Sequence, residues 1–346
     1  MFARNPSVPS YLRAPLLACA ATLLAAGCGG GQQSPSATRV TSSASSSSAS
    51  AATTTTTSTT TSTSSLPGAG KPTVTIGDKN FTEQFVLGEL YALALKANGF
   101  TVNLNRNIGP TEVTIQALSS GALGMYPEYL STWNTTVAGY GHDFPTLSEA
   151  YQAGQHYALA HGFVLLHRTP FSDTNAVCVT VAYASDNRLR SIVDLSRLAQ
   201  PVTFGGPPQF QQDPQGLPAI KQAYGFTPAA FKTLAVGDQY QALDQGQVEA
   251  ADVGTTDGQL VTGDYVLLSD PRNVFGWGNV VPAVSAKVLA EEGPAFADTI
   301  NDVSALLDTS TMRELNFLVD VAHEDPAAVA QQFLETHGLV ASTAAP

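Results

Sequence analysis

Val74-Thr75-Ile76-Gly77-Asp78-Lys79-Asn80-Phe81-Thr82-Glu83-Gln84 is the stretch on which the fold turns. Its first residues alternate with the period of a strand, and Gly77 offers a turn. Asn80, followed three residues later by Glu83, has the form of a capping box at a helix start. The helix is expected to reach about Asn98, because Phe85, Val86, Leu90, Leu93, Ala94 and Ala97 recur at helical spacing. Gly99 then stands where a left-handed C-terminal cap would.

Working outward, Thr101 to Leu104 reads as a second strand. Thr111 is positioned to cap a short helix with the stripe Val113, Ile115, Ala117 and Leu118, closed by Gly121. Ala122 to Met125 then leads into Tyr126-Pro127-Glu128-Tyr129. The result is a βαβαβ string, hence an α/β fold. In open α/β sheets, ligands sit beyond the carboxyl ends of the strands, facing helix N-termini that favour anionic groups. Lys79, Asn80 and the segment Tyr126 to Thr132 fall there.

Residues 1–27 have the form of a secretory signal: Arg4 and Arg13, then the apolar run Ala14 to Ala26. About thirteen apolar residues are too few for the roughly twenty that span a bilayer. Ala25-Ala26-Gly27-Cys28 looks like the lipobox of a bacterial lipoprotein, with Ala25 where such signals usually carry Leu. Export with lipidation at Cys28 follows, placing the protein outside the cytoplasm on the cell membrane. Residues 28–71 are dominated by Ser, Thr, Ala and Gly without apolar periodicity, so they are expected to form a disordered tether. As a random coil it would span roughly 35–40 Å.

The remaining chain, 71–346, is long enough for two lobes of ordinary size. A net charge of -12 argues against nucleic acid and anionic headgroups as partners and leaves a small molecule. Of three cysteines, Cys19 lies in the signal and Cys28 at its end. Cys178 is therefore alone in the mature domain, within the apolar run Ala176 to Val181, where a buried strand residue is the expectation over a reactive thiol. The chain contains no H-E-x-x-H, G-x-S-x-G, Walker loop or dinucleotide glycine fingerprint. His156 and His161 are five apart, which does not put them on one helix face. No enzyme activity, cofactor or metal site is expected.

Further blocks follow in order: Phe171-Ser172-Asp173-Thr174-Asn175-Ala176, Thr203-Phe204-Gly205-Gly206-Pro207-Pro208-Gln209-Phe210 and Thr255-Thr256-Asp257-Gly258-Gln259-Leu260. Near the C-terminus come Glu314-Leu315-Asn316, Val319-Asp320, Asp325 to Ala330 and Phe333-Leu334. As an ordered set over about 73 to 340 they resemble the substrate-binding proteins of glycine betaine, choline and carnitine ABC importers, which capture osmoprotectants.

The resemblance implies a type II periplasmic-binding-protein-like fold: two Rossmann-like lobes joined by two crossing segments, with lobe I at 72–175 plus 277–346 and lobe II at 176–276. It also implies a membrane permease with its ATPase as partner, and a receptor acting as a monomer. A sensor or envelope protein of the same fold, or one binding a different solute, stays open at this point. The runs Ala176 to Tyr183 and Val280 to Ser285 are placed where the chain would cross between lobes.

A quaternary ammonium has no N–H to donate, so aromatic faces and oxygen atoms must hold it. By resemblance, Tyr129 matches one wall of an aromatic cage, while Asn175, Gly254 and Gly278 stand where close relatives carry tyrosines. Trp277, Tyr240, Phe210 and Tyr126 are candidate replacements. Lys79 and Thr132 match residues that contact a ligand carboxylate beside Asn80, Asp173 matches an acid near the cation, and Asp213 replaces a frequent arginine. Each has an ordinary alternative: packing for Tyr129 and Trp277, an Asx turn for Asp173. Asp257-Gly258 and the Gly205 to Pro208 run read as structural turns.

Overall fold

The computed structural model describes residues 65–141 and 144–342. The proposed signal, Cys28, most of the tether and His142 lie outside the described residues. The strands are β1 (Thr73–Gly77), β2 (Thr101–Asn105), β3 (Met125–Tyr129), β4 (Phe163–Leu165), β5 (Asn175–Thr180), β6 (Thr203–Gly206), β7 (Ala230–Thr233), β8 (Ala250–Gly254), β9 (Tyr265–Leu267) and β10 (Val280–Ser285). The helices are α1 (Thr82–Ala97), α2 (Thr111–Ser120), α3 (Leu130–Thr132), α4 (Leu147–Ala160), α5 (Val181–Asn187), α6 (Ile192–Leu195), α7 (Leu217–Tyr224), α8 (Asp238–Asp244), α9 (Ala286–Glu292), α10 (Pro294–Ala305), α11 (Thr309–Asp320) and α12 (Pro326–Thr336).

These elements form two five-stranded mixed sheets, in the orders β2-β1-β3-β10-β4 and β7-β6-β8-β5-β9. In the first, β1 runs parallel to β2 and β3, and β10 enters antiparallel between β3 and β4. In the second, β6 is parallel to β7 and β8, and β5 is antiparallel to β8 and β9. The chain therefore leaves the first sheet after β4, builds the second, and returns through β10. The crossing segments touch at an antiparallel bridge between Ser172 and Asn279. Asn279 Nδ2 donates to the carbonyls of Thr169 and Phe171, both at 2.9 Å.

Each sheet carries apolar side chains on both faces, which helices then cover. One face of the first sheet packs against α1, α10, α11 and α12 through Val86, Leu90, Ile300, Met312 and Leu334. The other packs Tyr126, Leu130, Trp133 and Val281 against α2 and α4. The second sheet buries Phe204, Ile220 and Phe226 on one side and Cys178, Tyr240 and Val253 on the other. No described helix is long and apolar enough to cross a membrane.

Several sequence readings change. The first helix begins at Thr82 after Phe81, without a side-chain cap from Asn80, because Glu83 is committed elsewhere. A reciprocal capping box does form at Thr146 and Glu149, ahead of α4. The second helix starts after Pro110, not by a Thr111 cap. Met125 to Tyr129 is wholly strand, so the motif Tyr126-Pro127-Glu128-Tyr129 lies within the sheet and not after it.

The extended run from Ala176 stops at Thr180, whose side chain caps α5. Gly205 and Gly206 are strand residues of β6, not a turn. Residues 65–71, expected as the end of the tether, belong to the folded part. Gly68 N donates to Asn98 O at 2.9 Å, which fixes this segment on the end of α1.

Candidate functional site

The βα connections of the first sheet, the first crossing segment, the end of β8 and the loop before β10 converge on a cavity of ≈ 430 Å³. Lys79, Asn80 and Phe81 come from the turn after β1, and Pro110 and Thr111 from the start of α2. Tyr129 ends β3, with Ser131 and Thr132 immediately behind it. Opposite stand Asp173, Thr174, Asn175, Gly254, Asp213, Gln215 and Phe275. A larger hollow of ≈ 640 Å³ between α2, α4 and β10 draws only on residues flanking the first sheet and contains no carboxylate. Its His161 ring is stacked on Tyr157 at 3.9 Å. The smaller cavity, which both sheets build, is the candidate site.

Its floor holds two buried charge arrangements. In the first, Lys79 Nζ pairs with Glu128, and the two residues are 5% and 0% exposed. Glu128 also accepts from Thr111 Oγ1 at 3.1 Å, Tyr126 Oη at 3.2 Å and the amide of Tyr129 at 2.8 Å. Alternation along β3 puts Tyr126 and Glu128 on one face and Tyr129 on the other. The side-chain bonds therefore form on the α2 side of the sheet while the Tyr129 ring faces α1. Lys79 Nζ lies 5.2 Å from the centroid of that ring.

The second arrangement is acidic. Glu83 accepts from Tyr129 Oη at 2.8 Å and from Asn316 Nδ2 at 3.0 Å. Asn316 Nδ2 also donates to Thr256 O at 2.9 Å, so α11 ties Glu83 to the end of the second sheet. Thr255 Oγ1 donates to Ser172 O at 2.8 Å and lies 3.4 Å from Asp173 Oδ1. Asp257 Oδ2 accepts from Tyr240 Oη at 2.8 Å and from Gly254 N at 3.1 Å.

Burial raises the Glu83 carboxyl, and hydrogen bonds from Thr256, Tyr129 and Asn316 only partly offset this. Burial, then repulsion from Glu83 and Asp257, holds Asp173 well above the carboxylate range. Asp257 is raised by burial too. Arg313 faces this group from α11, but its Nε donates to Thr255 O at 2.8 Å.

The cavity thus unites Lys79, Asn80, Tyr129, Thr132, Asp173, Asn175 and Gly254. It excludes the other ring candidates and Gly278. Tyr240 is a core residue bonded to Asp257 and packed edge-on to Tyr265 at 4.8 Å. Trp277 donates from Nε1 to Phe144 O at 3.0 Å, in a separate small hollow. Phe210 is stacked on Phe204 in the second lobe's core, and Tyr126 is fully buried.

A Cβ at Gly278 would lie 1.7 Å from Asp173 O, so the crossing segments could not run side by side with any side chain there. One at Gly254 would meet Asp257 Oδ1 at 2.6 Å and Asp173 Oδ1 at 3.3 Å. These glycines make room for backbone and carboxylates. The aromatic faces the sequence reading missed are Phe81 and Phe275. Phe81, 39% exposed, stacks on Tyr129 at 5.9 Å and 28°. Its place beside the start of α1 was the only local signal in the sequence; Phe275 carried none.

The family described as the substrate binding domain of ABC-type glycine betaine transport system matches residues 72–336. The chain belongs to that family. It is 31% identical over 281 residues to a glycine-betaine-binding protein of Pseudomonas aeruginosa, covering 78% of this chain and 89% of that one. With the glycine betaine-binding protein YehZ of Escherichia coli it shares 30% over 296 residues, covering 79% and 93%. A solved structure of a glycine betaine/carnitine/choline ABC transporter superposes with a TM-score of 0.72 at 22% identity, covering 77% of this chain and 99% of that one. That likeness establishes the two-lobed, type II binding-protein fold. The family consists of substrate-binding components of ABC transporters.

Proposed function

We propose that this chain is the extracytoplasmic receptor of an ABC importer. It captures a quaternary-ammonium osmoprotectant of the glycine betaine, choline or carnitine type without transforming it, and presents it to a membrane permease backed by an ATPase. The observation that carries this reading is the cavity itself. It joins the aromatic residues Phe81, Tyr129 and Phe275 to the carboxyl group of Asp173, and it draws residues from both sheets.

An aromatic face contributes about 0.5–2 kcal/mol to holding a cation, the more so where water is excluded. The lobes in this reading are 72–175 plus 277–346 and 176–276, hinged at the paired crossing segments and closing over the solute. A lipid on Cys28 holds a monomeric receptor at the cell membrane; the intact mass of the mature protein checks this, and an unmodified Cys28 removes the anchor. The central test is calorimetric titration of the purified protein with glycine betaine, choline and carnitine. Saturable heat with at least one is the expected outcome, and no response to any of them overturns the assignment.

A further inference from the structure

The charges around the cavity carry the assignment one step further, to the net charge of the solute; this step rests on the receptor reading above. Among the described residues that line the cavity, Lys79 is the sole Lys or Arg. Its ammonium is already paired with Glu128, a carboxylate that is fully buried, so the pair delivers no net positive charge to the cavity. Asp173 and Asp213 line the opposite wall, and neither forms an ion pair among the described residues; Arg313 on α11 is held on the Thr255 carbonyl. Glu83 and Asp257 stand directly behind Asp173. The cavity therefore offers carboxyl oxygens and, among the described residues, no free cation, and Asp173, whose ionisation its buried acidic neighbours oppose, is stabilised as an anion by a positive charge that arrives.

A zwitterion brings its own carboxylate into this acidic site, where it needs cationic or closely clustered N–H donors and opposes the ionisation of Asp173. A cation with an uncharged polar tail avoids both costs. Ser131, Thr132, Asn175 and Gln215 provide neutral hydrogen-bonding groups for such a tail.

We infer that this site selects a quaternary ammonium of net positive charge, choline-like with a neutral hydroxyl tail, over zwitterionic betaines, and that Asp173 is the residue that sets this preference.

The test is a paired calorimetric titration of the purified protein with choline chloride and glycine betaine at neutral pH and low salt. Choline should bind roughly tenfold or more tightly, since even one unscreened charge at a few ångströms is worth that much. Asp173→Asn should shrink the choline-to-betaine affinity ratio toward one. Asp213→Asn, a change at an exposed rim residue that does not threaten folding, should shrink it in the same direction by a smaller factor. Glycine betaine binding as tightly as choline, or more tightly, would overturn the charge inference and leave the receptor assignment standing. A ratio unchanged in both variants would overturn the role of the carboxylates. Binding of neither solute would overturn the charge inference, and absence of carnitine binding as well would overturn the receptor assignment.

Discussion

Two buried charge sites lie a few residues apart on the same cavity floor, and they are built on opposite terms. Around Glu128 every strong partner is supplied internally: an ammonium, two hydroxyls and a backbone amide. Around Glu83, Asp173 and Asp257 the chain supplies hydroxyls, a backbone amide, an amide side chain and more carboxylates but, among the described residues, no ammonium. Burying a charge is costly unless it is paired and hydrogen-bonded. The first site is therefore closed structure, whereas the carboxyl groups of the second form no ion pair among the described residues, and in the proposed reading the solute balances them. Tyr129 joins them, with its amide on Glu128 and its hydroxyl on Glu83.

Removing the cation from the closed site should break the comparison most visibly. Lys79→Met leaves Glu128 buried with neutral donors only. Breaking a buried pair in this way costs about 3–5 kcal/mol. Denaturant unfolding should record that loss; a variant as stable as the parent would mean that the pair is not structural.

Asp252 extends the acidic site into the second lobe. Its Oδ1 is buried with no hydrogen-bond partner. Burial first, then Asp257 and Asp213, push its carboxyl from the ordinary 3.8 to about 8. The folded protein therefore holds this proton more tightly than the unfolded chain does. Its contribution is full below about pH 3.8 and is lost as pH rises through about 8, with a slope of at most about 1.4 kcal/mol per pH unit. Asp252→Asn should flatten that fall and raise the melting temperature above pH 7. An unchanged pH profile of thermal unfolding would contradict it.

The smallest effect is expected at the bridge between the sites. Tyr129→Phe removes one hydroxyl donor from Glu83 while Asn316 remains, a loss of about 1 kcal/mol in stability. Truncation to alanine is a poorer probe, since Tyr129 is only 6% exposed and its ring packs in the core. A Phe variant as destabilised as Lys79→Met would show the two sites to be one network.

Local sequence carried the fold far. Strand alternation at Val74 to Ile76, the glycines that stop α1 and α2, and the apolar run Val280 to Ser285 each express a backbone preference that neighbours reinforce. These rules depend on residues within one turn or one strand. The site was legible only in part. Lys79, Asn80, Tyr129, Thr132, Asp173, Asn175 and Gly254 share the cavity, yet what each does there depends on partners far along the chain.

Glu83 looked like a capping residue because Asn80 stands three positions before it. Asn316, 233 positions later, and Tyr129, 46 positions later, claim its carboxylate instead. Gly278 looked like a missing cage wall until Asp173 O was seen to occupy its space. Local propensity and pattern thus determined the elements and the α/β class, while the ordered sequence blocks carried the resemblance to the family. Only the tertiary structure decided which charges are paired, which aromatic rings face the cavity and which glycines yield room, because those outcomes are set by distances between residues that sequence spacing does not encode.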